Sequence, residues 1–167
     1  NFEQVLAAWD RQIRWYTRQS IEIDCVVDSA LEALAHDVFC SALVDDCIGR
    51  GRSVKEGGAV YDWVSGLQVG IANLGNSLQA VRELVFARGQ VGQADLARAL
   101  ADDFAGAEGE QLRQRLVNAA AKYGNDDDAV DDLLVRAYRT YIDALPAFHN
   151  TRYGRGPIGG GYYAGTS

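Results

Sequence analysis

Cys25, Cys40, Cys47, His36 and His149 are the side chains of this chain best suited to nucleophilic, redox or metal chemistry. Their spacing supports none of it: no two cysteines form a CxxC, and neither histidine stands at metal-ligand spacing from a cysteine. An odd count of three fits reduced thiols packed as small apolar groups. Cys40 and Cys47 lie seven apart on one face of a predicted helix, a position expected of core. The aspartates Asp126, Asp127, Asp128, Asp131 and Asp132 invite a metal. An EF-hand, however, needs acids on alternate positions, a central Gly and a distal Glu. The run fits better as a helix start, with Asn125 as N-cap and carboxylates at the positive end of the dipole. GGGYYAG lacks the GK[ST] and the preceding strand of a phosphate loop.

The segment GGAVYDWVSGLQVGIANLGNS carries more information. β-branched and aromatic residues cluster between glycines in AVYDWV, which predicts a strand ending at Ser65-Gly66. Tyr61 and Trp63, two apart on a strand, share a side. Either both rings pack under a helix, or the strand end lines a substrate pocket, as in α/β folds.

The remaining elements are mostly helical. Phe2, Leu6, Trp9, Ile13, Tyr16, Ile23, Val27, Ala30 and Leu34 recur at helical spacing and predict one amphipathic helix over 2–34. A second is expected over 39–48, with Phe39, Leu43 and Cys47 inward and Gly49 and Gly51 as the stop. The strand, loop and helix unit covers 57–86, its helix starting near Ser77 with Asn76 as N-cap. Further helices are expected over 93–105, 109–119 and 126–145, the last ended by Pro146. The tail 151–167 holds six of the 18 glycines and is expected to be loop.

Composition bounds the class. With 48% apolar and 23% charged residues in 167, the chain is globular, with room for one core. Sixteen Lys and Arg against 23 Asp and Glu give −7, a poor match to a phosphate backbone, so nucleic acid is not an expected partner. No apolar run reaches the length of a membrane span and no signal peptide is evident, so a cytoplasmic protein without a membrane partner is expected. Met is absent altogether, which together with a lone strand unit suggests an internal piece of a longer protein.

The order ALVDDCIGRGRSVKEGGAVYDW, GLQVGIANLGNSLQAVRELVF and NAAAKYGNDDDAVDDL resembles the pyruvate formate-lyase-like glycyl radical enzymes. The branch it is most similar to holds glycerol and diol dehydratases, choline lyase and arylacetate decarboxylases. The resemblance implies an α/β fold, a fragment of a ten-stranded barrel made of two five-stranded parallel halves ringed by helices. It also implies an anaerobic lyase that cleaves C–O, C–N or C–C bonds of a small substrate. A glycyl radical, installed by a radical S-adenosylmethionine activating enzyme, passes to a cysteine, and the thiyl takes hydrogen from substrate. A homodimeric parent follows, free in the cytoplasm or inside a bacterial microcompartment.

Neither redox residue matches here. Cys25, Cys40 and Cys47 lack the family's Gly-Cys-Val-Glu-like context, and YYAGTS lacks the Arg of its radical loop, so no catalytic residue and no bound cofactor are expected in this chain. The substrate-binding candidates are Tyr61, Trp63, Val64 and Leu67. Dehydratases of the family read Tyr-Asn-Phe-Thr-Gly-Pro-Gln-Gly where this chain has Tyr61-Asp62-Trp63-Val64-Ser65-Gly66-Leu67-Gln68. Val64 in place of Thr removes a hydroxyl and makes an apolar or aromatic substrate as reasonable as a polyol. Two alternatives stand beside this reading: a piece of formate C-acetyltransferase, and a helical interaction module without chemistry.

Overall fold

The computed structural model describes residues 1–62, 65–149 and 158–162. Helix α1 spans Phe2–Leu34, followed by two short helices, α2 (Val38–Leu43) and α3 (Cys47–Arg50). Strand β1 is Ser65–Gln68, and α4 is Ile71–Ala80, continued by a π-helical segment over Val81–Ala87. Helices α5 (Gln93–Ala101), α6 (Gly106–Asn118) and α7 (Asp128–Ala144) precede strand β2, Gly159–Tyr162. The described chain is thus mostly helical, with two short strands.

The chain divides into two compact units, the first formed by Asn1–Arg11 with Gly70–Arg139. Its core has two parts. Ala80, Leu84, Val85, Val91 and Ala120 pack with Leu96, Leu112 and Leu116, and Leu84 is wholly buried. Leu6 from α1, Leu78 from α4 and Leu133 and Ala137 from α7 form the other. Gly75 allows α4 to approach α7, since a Cβ there would stand 3.0 Å from Leu134 Cβ. Trp9 Nε1 donates to the Ala137 carbonyl at 3.0 Å, and Arg136 pairs with Glu3, so the start of α1 is tied to α7 by polar groups as well.

The second unit comprises Gln12–Val69 and Thr140–Ser167. Ile21, Leu145 and Ile158 form its buried cluster, with Tyr141 and Phe148 packed against it. A 3₁₀ turn over Val54–Glu56 is held by a reciprocal cap, in which the Ser53 hydroxyl accepts from the Glu56 N–H and the Glu56 carboxylate accepts from the Ser53 N–H. β1 and β2 pair in parallel, Ser65 opposite Gly159 through Gln68 opposite Tyr162.

Several elements differ from the sequence reading, each for a local physical reason. The strand expected over AVYDWV lies further along, at Ser65–Gln68, because its ladder is supplied by a distant partner rather than by propensity. That partner is the glycine run of the tail expected to be loop. The helix expected over 39–48 is broken: Val44 is extended and Asp46 has φ 72, so Cys47 does not continue the face of Phe39 and Leu43. Cys47 is buried, while Phe39 is 75% and Leu43 70% exposed. On α1 the buried positions include Leu6, Thr17 and Ile21, whereas Tyr16, Ile23, Val27 and Leu34 are exposed.

Helix α4 begins at Ile71 after Gly70 (φ 82), not near Ser77. Asn76 therefore lies inside it and caps nothing. Its Oδ1 accepts the Tyr123 N–H at 2.7 Å, a bond between elements that no local pattern announces. Nor is Asn125 the cap of α7, which starts at Asp128, and the Asp127 carboxylate accepts the Ala129 N–H at 3.0 Å. Pro146 lies in a 3₁₀ turn, Leu145–Ala147, that follows the end of α7.

Candidate functional site

β1 and β2 form the part of the second unit that can carry a site, because parallel strands direct their carboxyl ends to one edge. Glycine dominates the pairing, with Gly66 opposite Gly160 and Leu67 opposite Gly161. Glycine in a strand weakens it and marks a place where another group approaches the backbone. At Gly66 that group is the Tyr141 hydroxyl, which lies 2.6 Å from where a Cβ would be. Gln68, two residues on and so on the same face, folds back, its Nε2 donating to the Gly66 carbonyl at 2.6 Å.

Of the substrate-binding candidates, Tyr61 is 80% exposed in the bend that precedes β1. Leu67 belongs to β1 itself. Trp63 and Val64 lie outside the described residues. The bend is fixed from behind by close backbone approach: Gly58 is buried, a Cβ there would collide with the Arg52 carbonyl, and Arg50 donates to the Ala59 carbonyl at 3.4 Å.

Tyr141 was missed by sequence reasoning, and Gln68 entered it only as the end of the Tyr61 to Gln68 stretch. Gly66 was read as the end of a strand rather than its interior, so nothing local announced that another group touches the backbone there.

The cysteines lie on α1, α2 and α3, His36 lies between α1 and α2, and His149 makes a β-bridge just after the Leu145–Ala147 turn. Cys25 and Cys40 are exposed on α1 and α2, and Cys47 is buried on α3. A hydrogen bond to Asp37 and its negative charge push the Cys40 thiol above its usual range, the opposite of what a nucleophile needs. The same contact, with the Cys40 N–H, holds the Asp37 carboxyl below its ordinary value. His36 Nδ1 lies 4.0 Å from the Glu56 carboxylate, itself held down chiefly by the Ser53 N–H. Among the described residues no three His, Cys, Asp or Glu side chains are grouped to hold a metal ion.

In the first unit, helices α4, α5 and α6 and the loop after α6 border a cleft of about 460 Å³, lined mainly by Leu96, Leu100, Phe104, Leu116 and Val117. Lys122 stands at its rim, its ammonium donating to the Ala120 carbonyl at 2.8 Å and its pKa lowered by partial burial. Asn73, Asn76, Ser77 and Arg113 also border it. No described helix is long and apolar enough to cross a membrane.

Comparison with known proteins bears on both units together. The family model described as pyruvate formate lyase-like matches residues 1–166. The chain belongs to that family, one of glycyl radical enzymes. "Probable dehydratase YbiW" of Escherichia coli (strain K12) is 70% identical over 167 residues, all of this chain and 21% of that protein. The glycerol-bound B12-independent glycerol dehydratase of Clostridium butyricum superposes with a TM-score of 0.80 at 32% identity, covering 96% of this chain and 20% of that one. Hydroxyproline dehydratase of Clostridioides difficile, with trans-4-hydroxy-L-proline bound, gives a TM-score of 0.82 at 27% identity, over 97% of this chain and 20% of that one. The chain thus spans about a fifth of the length of the relatives it matches.

Proposed function

We propose that the chain is an internal part of a glycyl radical lyase of the dehydratase branch, and that β1 with the bend before it contributes to the wall of the substrate pocket. The observation that carries this is the likeness, 70% identical from end to end, to a probable dehydratase. The parallel pairing of β1 with β2 supports it, since such strands need neighbours on both edges and helical cover. In the parent those neighbours are the other strands of a ten-stranded barrel. Tyr61, Trp63, Val64 and Leu67 form this chain's share of the wall.

The glycyl radical and its relay cysteine belong to the rest of the enzyme. Cys25, Cys40 and Cys47 sit on helices α1 to α3, not on either strand, and no radical step is routed through them. The chain's own contribution is to position and surround a small substrate while water is eliminated elsewhere in the pocket. A radical S-adenosylmethionine activating enzyme is the partner required, and the parent is a cytoplasmic homodimer, free or enclosed in a microcompartment.

A second reading concerns substrate class. Val64 stands where resembling dehydratases have Thr, and it offers no hydrogen bond to a substrate hydroxyl, so decarboxylation of an apolar acid is the alternative chemistry. The test is activation of the full-length enzyme under anaerobic conditions, followed by assay with glycerol, trans-4-hydroxy-L-proline and indoleacetate. A glycine-centred doublet in electron paramagnetic resonance and turnover of at least one compound is expected. Absence of the radical after activation by the cognate activase would refute the assignment, and coding sequence without flanking cysteine and glycine motifs would favour an interaction module.

A further inference from the structure

We infer that Tyr141 is a positioning residue for the substrate-facing strand, acting through the missing side chain of Gly66. This rests on the proposal that β1 borders the pocket.

Tyr141 lies in the last turn of α7, and its ring packs on the cluster of Ile21, Leu145 and Ile158. Ile158, a member of that cluster, immediately precedes β2. The hydroxyl reaches β1: a Cβ on Gly66 would stand 2.6 Å from the Tyr141 oxygen and 3.8 Å from Cζ. The ring therefore meets β1 end-on. Because its body is packed in the buried cluster, the hydroxyl has little freedom to withdraw from the strand.

Any side chain at position 66 would meet that oxygen, so either the Tyr141 ring or β1 would have to shift. Glycine is the residue that lets the hydroxyl rest against the backbone. Gln68 shares the face, its Nε2 3.6 Å from the same Cβ position, so a shift of β1 at Gly66 moves a hydrogen-bonding amide as well. Strand position and side-chain placement at the edge of the pocket are thus set together by Tyr141.

The experiment is a double-mutant cycle in the full-length, activated enzyme, with Gly66→Ala, Tyr141→Phe and their combination. Melting temperature, radical content and kcat/KM on glycerol and on indoleacetate are read in parallel. Gly66→Ala is expected to lower kcat/KM on the compound turned over by at least tenfold with radical content unchanged. Tyr141→Phe removes the colliding oxygen, so the double variant is expected to recover to within about threefold of the parent. If Gly66→Ala yields no folded enzyme, recovery of folded, active protein in the double variant gives the same support. The single variant Tyr141→Phe, expected to change kcat/KM by at least twofold at constant radical content, tests the role independently. A double variant no better than Gly66→Ala, or a single Tyr141→Phe with parental kinetics, overturns the inference while leaving the pocket assignment intact. Recovery of melting temperature with kinetics unmoved by all three variants overturns the positioning role and the pocket assignment together.

Discussion

Asp127 shows how a single carboxylate fixes an element. Its oxygen accepts the Ala129 N–H at the start of α7, so Asp127→Ala should cost on the order of 1 kcal/mol, whereas Asn125→Ala should cost close to nothing. Thermal unfolding of the two variants side by side checks the assignment, and equal losses would contradict it. Cys40 supplies a second case. With its thiol pushed up by Asp37, it should alkylate more slowly near neutral pH than an ordinary exposed thiol, and Asp37→Asn should accelerate it. Mass-spectrometric rates with iodoacetamide on the 167-residue chain give the comparison. Glu110 carries the largest carboxylate shift, to about 2, through its hydrogen bonds to Arg113 and Gln114. A depressed pKa contributes stability that is present above the unfolded value and lost as pH falls through the folded one. Both groups are solvent-exposed, so any loss confined to acid pH should be small.

Among the elements, α4 and α7 approach closely at Gly75. Replacing a helical glycine by alanine ordinarily raises stability by about 1 kcal/mol. Here the new Cβ would stand 3.0 Å from Leu134 Cβ and Cδ1, so Gly75→Ala should lower the melting temperature instead, and pairing it with Leu134→Ala should relieve the crowding. A stabilised Gly75→Ala variant would show that α7 gives way. The helices were largely legible because an amphipathic period is written in the residues that form it: α1 over Phe2–Leu34 is the plainest case. The strands were not, because Gly159–Tyr162 has almost no side chains with which to announce a strand, and its pairing with Ser65–Gln68 is decided far along the chain. The same cause hides the site. Tyr61 to Gln68 stood out as a segment, but Tyr141 is joined to it only by the fold. Asn76 looked like a cap for want of any local sign that Tyr123 would take its side chain.

For the whole molecule, exposed apolar surface and partial length point the same way. Leu34, Val38, Phe39, Leu43 and Ile48 are all at least 70% exposed, an unusual concentration for a monomer's surface. The 167-residue chain alone should bind a hydrophobic dye, unfold without a sharp cooperative transition, and show neither lyase activity nor a glycine-centred radical after treatment with activase. A sharply melting, dye-free monomer, or a radical doublet from this chain by itself, would contradict the reading of this chain as one part of a larger enzyme.

The most direct test of the central claim, that the segment from Tyr61 to Gln68 borders the substrate in the parent lyase, is Val64→Thr in the full-length activated enzyme. A pocket hydroxyl discriminates among hydroxylated substrates far better than apolar contact does, because buried polar groups left unpaired are costly. The measurement is kcat/KM on glycerol relative to indoleacetate, with radical content quantified in the same preparations. The expected result is a shift of that ratio toward glycerol by well over twofold at unchanged radical content. A ratio held within about twofold, less than roughly 0.4 kcal/mol, would make the segment packing rather than pocket and contradict the claim.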